Sequence, residues 1–145
     1  MAGQGDAPLA LVTGSHRRLG ARIAMGLASA GYALAVHGRH DAIPHRFLAE
    51  RLAETGVPWH GFVADFLEPG TAETLIPQVI AHFGRAPDLL VNSASLFGES
   101  DLASVTEAEL ADYYRVNASA PVLLTQAFAK AERPAGQNAC VFKIL

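Results

Sequence analysis

The stretch LVTGSHRRLG, residues 11–20, joins the end of an apolar run to a turn that contains glycine. The run PLALVT, residues 8–13, has no polar alternation, which predicts a strand buried on both faces of a sheet. Gly14 permits a sharp turn, and Gly20 permits close packing of the next helix. Because free N–H groups at a helix start bind anions, the stretch predicts a strand, a phosphate-binding turn and a helix. Arg18 stands where such turns usually have a second glycine.

Apolar runs and amphipathic segments alternate along the whole chain. The predicted strands are residues 8–13, 33–38, 59–65, 88–95 and 139–145. The predicted helices are residues 22–32, 43–56, 71–84 and 106–131. This order predicts right-handed βαβ crossovers, and hence a parallel, doubly wound α/β sheet in a single domain, residues 1–145. Ligands bind such sheets beyond the carboxyl ends of the strands, so the residues that follow each strand are the ones that bear on function.

Two of the predicted helices carry specific expectations. Thr106 and Glu109 have the spacing of a capping box at the start of the last helix. In the second helix, Phe47, Leu48 and Leu52 are expected to face the core, because they share one face of the helical pattern.

Composition excludes several classes of protein. The chain has 145 residues, 17% of them charged, and a formal net charge of −3 without a basic run, so nucleic-acid binding is not expected. Cys140 is the single cysteine, which excludes an internal disulfide and a cysteine-based metal site; no metal is expected. There is no signal-peptide pattern and no apolar run long enough to span a bilayer, so we expect a cytoplasmic protein without a membrane partner.

The second predicted strand ends in VHGRHD, and this stretch bears on nucleotide specificity. A carboxylate after this strand holds the ribose 2′-OH of NAD, whereas an arginine suits the 2′-phosphate of NADP. Arg39, with His37 and His40, favours NADPH. Asp41 leaves an alternative open, because it could supply the carboxylate; the interpretation favoured here is that it caps the next helix, since Pro44 soon follows.

Other candidate residues have both a structural and a functional interpretation. Arg17 and Arg18 are either solvated or bound to ligand phosphates, and the phosphate-binding turn favours the second. Asp65 either holds an adenine amino group or caps a turn. Phe97 either packs in the core or stacks on a flat ring. Asn117 lies inside a helix, where Asn is a poor helix former, so it has a specific hydrogen-bonding role, structural or catalytic.

Together the motifs TG-x-x-x-x-x-G, ADF, VNSAS and RVNASAP, in this order, resemble those of the short-chain dehydrogenase/reductases. Within that family, TGSHRRLG resembles the turn of the pteridine reductases. The resemblance implies a Rossmann fold with strand order 3-2-1-4-5 and NADP(H) as the cofactor. It also implies hydride transfer to a pterin or dihydrofolate-like small molecule, and a homo-oligomer, usually a tetramer.

The resemblance also implies roles for individual residues. Positions that match the pyrophosphate-binding turn are Gly14, Ser15, Arg17, Arg18 and Gly20. Positions that match the 2′-phosphate and adenine contacts are His37, Arg39, His40 and Asp65. Positions that line the nicotinamide and its ribose are Asn92, Ala94 and Ser95. Substrate contacts fall on Arg18, Ser95 and Phe97, the last of which sandwiches a pterin ring. Asn117 matches the asparagine of the catalytic tetrad, which helps hold a proton-relay water.

Part of the family's chemistry is missing from these 145 residues. The family uses a Ser or Asp after the fifth strand and then Tyr-x-x-x-Lys, whereas Tyr113 and Tyr114 are followed four residues on by Asn and Ala. The chain is therefore expected to be the N-terminal part of such an enzyme, inactive by itself. Two alternatives stay open: an inactive dinucleotide-binding fragment or module, and a reductase that acts on a carbonyl or alcohol.

Overall fold

The computed structural model describes residues 7–144, so residues 1–6 and Leu145 of the predicted domain and last strand lie outside it. Its strands are β1 (Leu9–Val12), β2 (Ala33–Gly38), β3 (Trp59–Val63), β4 (Leu89–Asn92) and β5 (Cys140–Lys143). They form one sheet in the order β3-β2-β1-β4-β5, and every neighbouring pair is parallel. The predicted Rossmann architecture and strand order are confirmed.

The helices are α1 (Arg18–Ser29), α2 (Arg46–Thr55), α3 (Thr71–Phe83), α4 (Glu107–Tyr114) and α5 (Ala120–Lys130). A π-helical segment, Arg115–Ser119, joins α4 to α5. The single long helix expected from the sequence is therefore continuous but contains one wide turn, and Asn117 lies in it. Within residues 7–144, no helix combines the length and apolar character that crossing a membrane requires.

Helices cover both faces of the sheet, and this explains why β1 and β2 are apolar throughout. Every residue of these two strands is buried. Leu9 and Leu11 point to the side covered by α3 and α5. Ala10 and Val12 point to the side covered by α1 and α2. A strand between two apolar layers has no solvent-facing side and so shows no alternation.

The sequence predicted the start of α4 correctly but not the buried face of α2. Thr106 accepts a hydrogen bond from the Glu109 amide at 3.2 Å, and the Glu109 carboxylate accepts one from the Thr106 amide at 2.9 Å, which confirms the capping box. The expectation for Phe47 was wrong: the buried face of α2 carries Leu48 and Leu52, whereas Phe47 lies about 100° around the helix from Leu48 and is 69% exposed.

Asp41 does not cap α2, so this part of the sequence interpretation was also wrong. The residue before the helix is His45, whose side chain makes no capping hydrogen bond. Asp41 lies five residues before Arg46, the first residue of the helix. Its backbone carbonyl instead accepts a hydrogen bond from Nε2 of His16 at 2.6 Å, which ties the loop after β2 to the turn after β1.

Candidate functional site

A cleft of about 510 Å³ opens at the carboxyl ends of the strands. Its volume lies within the range of small-molecule sites. The predicted site residues that line it are Gly14, Arg17, Arg18, Gly20, His37, Arg39, Asp65, Ala94, Ser95 and Phe97. The predicted site residues that do not line it are Ser15, His40, Asn92 and Asn117. Parallel strands bring these loops to one edge of the sheet, although they are distant in the sequence.

The turn between β1 and α1 leaves no room for side chains at its glycines. Gly14 has a φ of 60°, and a Cβ placed on it would lie 2.7 Å from the Cα of Ala94. A Cβ on Gly20 would overlap the backbone carbonyl of Gly14. The turn therefore packs against both the loop after β4 and the start of α1, and the missing side chains leave backbone at the cleft surface.

Arg18 is the first residue of α1 and adopts an unusual backbone conformation. Its φ is 53°, and among residues 7–144 it is the residue other than glycine that has a positive φ. A left-handed conformation costs an L-residue about 1–2 kcal/mol. A glycine would adopt this conformation without that cost. The chain therefore has a strained backbone at position 18 and, in return, a guanidinium group beside the cleft.

His37 is buried under this turn, and both of its ring nitrogens are occupied. Nδ1 accepts a hydrogen bond from the Gly14 amide at 3.0 Å, and Nε2 donates to the carbonyl of Ala64 at 2.9 Å. The ring stacks on Phe66 with centroids 4.6 Å apart. Burial lowers the pKa of His37 to about 4, so the ring is neutral at neutral pH. A phosphate contact through this ring would require one of the two hydrogen bonds to break.

Ser15 has a similar position inside the protein. It is fully buried, its Oγ accepts a hydrogen bond from the His37 amide at 2.8 Å, and its own amide donates to the His37 carbonyl at 3.0 Å. These bonds tie the ends of β1 and β2 together. The sequence offered no signal for this arrangement, because it depends on which strands are neighbours.

Arg39 and Asp65 were predicted to bind different parts of a nucleotide, and the structure pairs them with each other. Nε of Arg39 lies 2.9 Å from Oδ2 of Asp65, and the other carboxylate oxygen accepts a hydrogen bond from the Leu67 amide at 3.0 Å. Burial acts to raise the pKa of Asp65, but the Leu67 amide and Arg39 outweigh it and leave that pKa below its usual range. The Arg39 side chain remains 49% exposed.

Two polar side chains hold the loop that follows β4. Thr13 Oγ1 accepts hydrogen bonds from the amides of Ser93 and Ala94 at 3.1 and 3.0 Å. Asn117 grips the backbone of Leu96 with both ends of its amide, since Oδ1 accepts from the nitrogen at 2.7 Å and Nδ2 donates to the oxygen at 2.9 Å. Asn117 therefore positions the loop in this structure.

The outer part of the same loop rests on Tyr113, which sequence reasoning had not singled out. Its hydroxyl lies 3.0 Å from Oγ of Ser100, and it fills the space that a Cβ on Gly98 would need. Between the two anchors, Phe97 is 87% exposed and lines the cleft.

Asn92 and His40 do not line the cleft. Asn92 is buried at the end of β4, where Nδ2 donates to Oγ1 of Thr125 at 3.4 Å. Its Oδ1 has no partner among residues 7–144. His40 is exposed in the loop after β2.

The sequence model of the short chain dehydrogenases matches residues 8–141. The chain belongs to the short-chain dehydrogenase/reductase family. D-threitol dehydrogenase of Mycolicibacterium smegmatis is 34% identical over 139 residues, which cover 94% of this chain and 52% of that protein. Versicolorin reductase 1 of Aspergillus parasiticus is 30% identical over 112 residues, which cover 77% of this chain and 42% of that protein.

Solved structures of short-chain oxidoreductases superpose on the chain. A metagenomic short-chain oxidoreductase in complex with NADP matches with a TM-score of 0.81 at 28% identity, covering 97% of this chain and 62% of that chain. A metagenomic blue fluorescent protein in complex with NADPH matches with a TM-score of 0.80 at 26% identity, covering 97% of this chain and 56% of that chain. The chain spans about half the length of the relatives it matches.

Proposed function

We propose that the cleft binds NADP(H) and that the protein acts as an oxidoreductase on a carbonyl or alcohol. The observation that carries the proposal is the position of three exposed arginines, Arg17, Arg18 and Arg39, around one cleft at the carboxyl edge of the sheet. Guanidinium groups form paired hydrogen bonds with phosphate oxygens. NADP carries phosphate in two places, the pyrophosphate and the 2′-phosphate, and three arginines around one cleft can serve both. The relatives named above are a dehydrogenase and a reductase, and two similar structures hold NADP or NADPH.

The residues present fit the cofactor. The pyrophosphate would lie over Gly14, where the absence of a Cβ leaves backbone at the surface, with Arg17 and Arg18 beside it. The 2′-phosphate would bind Arg39, which Asp65 holds by one nitrogen while half of the side chain stays exposed. Both carboxylate oxygens of Asp65 already have a partner, so an adenine contact would use one of their remaining lone pairs. His37 and Ser15 then act by fixing the turn, not by touching the phosphates.

When bound, the nicotinamide supplies or accepts the hydride. The chain's own residues hold the ring's surroundings in place: Asn117 and Thr13 fix the loop after β4, which carries Ala94 and Ser95. The 145 residues contain no Tyr-x-x-x-Lys, so we expect them not to supply the proton for the substrate. We therefore expect the chain to bind NADPH and to turn over no substrate by itself.

A pterin or dihydrofolate-like substrate is the second candidate, and one observation favours it. Arg18 and Phe97 line the same cleft, and Phe97 presents an exposed aromatic face there. Such a face stacks on flat rings. The two relatives named above carry the names of other substrates, so this candidate depends on Phe97 and Arg18 alone.

An assay of NADPH consumption with the 145-residue chain tests the proposal. Diacetyl and dihydrobiopterin serve as a carbonyl and a pterin substrate, and NADPH binding is measured on the same preparation by calorimetry. Binding without turnover is the expected result. Turnover would show that the chain has its own proton donor, and absence of NADPH binding would refute the proposed function.

The substrate class is tested on the chain saturated with NADP⁺. Dihydrobiopterin should bind and should lose affinity in Phe97→Ala, while NADP⁺ affinity stays unchanged, if the pterin candidate is correct. Equal dihydrobiopterin affinity in the wild type and Phe97→Ala would remove that candidate and leave the carbonyl or alcohol reductase.

A further inference from the structure

A second cavity of about 420 Å³ lies between α1 and the start of α2, next to the turn after β1. We call it the α1–α2 groove. Its lining includes His16, Arg17, Arg18, Arg22, Met25 and Phe47. Arg17 and Arg18 also line the cofactor cleft, so the two cavities share these residues.

The groove carries uncompensated positive charge. No Asp or Glu lines it, and within residues 7–144 none of Arg17, Arg18 and Arg22 has a carboxylate within 4.0 Å. Arg46 on the adjacent helix differs, since its Nε lies 2.6 Å from Oε1 of Glu50. Three arginines that face one groove without a counter-ion favour an anionic ligand.

The groove also has apolar lining on both sides: Ala21 and Met25 on α1, and Phe47, next to His45, at the start of α2. Phe47 is a large side chain that the core does not use, 69% exposed, and its ring stacks on that of His45 with centroids 5.7 Å apart. Met25, half-buried, lies along the α1 side. An exposed aromatic ring offers a face on which a flat apolar group can stack, and a thioether in the same groove adds adaptable apolar surface.

Hydrogen bonds hold the groove's two sides together in the absence of a ligand. The carbonyl of His16 accepts a hydrogen bond from the His45 amide at 3.1 Å. Nε2 of His16 donates to the carbonyl of Asp41 at 2.6 Å. The turn after β1 is thereby fixed to the start of α2, so a ligand would enter a cavity that is already formed.

We propose that the α1–α2 groove is a second binding site, for a phosphomonoester attached to a flat apolar ring. The phosphate pairs with Arg22 and with Arg17 or Arg18, and the ring lies against Phe47. Because Arg17 and Arg18 line both cavities, a ligand in the groove takes donors away from the cofactor's phosphates. Occupancy of the groove therefore weakens cofactor binding, and by thermodynamic reciprocity the cofactor weakens binding in the groove.

Calorimetric titration of the 145-residue chain with 1-naphthyl phosphate tests the site. Arg22→Gln and Phe47→Ala alter residues that line the groove but not the cofactor cleft, and both side chains are exposed, so the fold should survive. Each substitution should lower the affinity for 1-naphthyl phosphate by about tenfold, the effect of losing one charge-assisted contact or one stacked ring. Arg46→Gln, on the same helix as Phe47, is the matched control and should bind like the wild type.

The coupling is measured by titrating NADPH with and without saturating 1-naphthyl phosphate. The probe should raise the NADPH dissociation constant by about fivefold, at the low end of ordinary couplings. Without the probe, Arg22→Gln should leave that constant unchanged. Inorganic phosphate and 1-naphthol are titrated separately as control ligands, and each should bind more weakly than 1-naphthyl phosphate.

Several results would overturn the proposal. Wild-type affinity in both Arg22→Gln and Phe47→Ala would place the probe elsewhere, as would an absence of saturable binding. Equal affinity for inorganic phosphate and 1-naphthyl phosphate would reject the ring-binding part. If NADPH fails to bind while the probe and its variant pattern persist, the proposed function and the coupling are wrong and the groove site stands.

Discussion

Replacing Arg18 with glycine should strengthen the fold and weaken NADPH binding at the same time. With φ at 53°, Arg18 bears a left-handed conformation that costs about 1–2 kcal/mol. Glycine removes that cost but adds freedom to the unfolded chain, which offsets about 0.5–1 kcal/mol. The net gain of about 0.5–1 kcal/mol corresponds to a rise in Tm of about 2–5 °C for a domain of this size.

The loss in binding comes from the guanidinium. A hydrogen bond between charged groups contributes about 1.5–3 kcal/mol, so removal of one such contact from an exposed site should weaken NADPH by about tenfold or more. Arg18→Ala separates the two effects, because it removes the guanidinium and keeps a side chain at positive φ. It should lose NADPH affinity without the gain in Tm.

Arg17 offers the matched control for the backbone effect. Its φ is −146°, an extended conformation that every residue adopts readily, so Arg17→Gly relieves no strain and should lower the Tm. The assays are thermal unfolding by circular dichroism and calorimetric titration with NADPH. A Tm for Arg18→Gly at or below that of Arg18→Ala would refute the strain argument, and unchanged NADPH affinity in both would remove Arg18 from the cofactor site.

Three further predictions follow from other contacts. The pKa of histidine is about 6.5 in the unfolded chain but about 4 for buried His37, so the free energy of unfolding should fall by about 3 kcal/mol as the pH falls from 6.5 to 4. Urea titrations should show this loss in the wild type and a smaller loss in His37→Gln. Equal pH profiles for the two proteins would contradict the prediction. Tyr113→Phe removes the 3.0 Å hydrogen bond with Ser100, so it should lower the free energy of unfolding by about 1 kcal/mol and speed amide hydrogen exchange in residues 96–101. Unchanged exchange rates would show that this hydrogen bond does not hold the loop. β5 forms an edge of the described sheet, and Phe142 on it is 56% exposed, so the chain should self-associate through this edge. Light scattering over a concentration series should show the association, and Phe142→Glu should reduce it. A monomer at every concentration would contradict the prediction.

The fold followed from the sequence because its signals are local. Uninterrupted apolar runs predict strands covered on both faces, and their alternation with helices restricts the topology to few choices. The errors are local too. Asp41 was misassigned because α2 starts at Arg46, later than the amphipathic pattern suggested. Phe47 was misassigned because Leu48 and Leu52, four residues apart, define the buried face, and the adjacent residue lies about 100° around the helix from it.

The site was predicted as a set of residues, but not in its internal contacts. Parallel strands bring their ends to one edge, so the cleft residues could be named in advance. Which of them would pair with each other, as Arg39 does with Asp65, depends on side-chain geometry across β2 and β3. His37 carried no sequence signal for its buried role, since a histidine at a strand end predicts a ligand contact and a structural one equally well.

The most direct measurement of the central claim is a comparison of NADPH and NADH affinities in the wild-type chain and in Arg39→Ala. The two cofactors differ only in the 2′-phosphate, the group assigned to Arg39. The wild type should bind NADPH more tightly than NADH, Arg39→Ala should lose affinity for NADPH far more than for NADH, and the difference should shrink as salt is raised, because Arg39 is half-exposed. Equal losses for both cofactors, or no binding of either, would contradict the account.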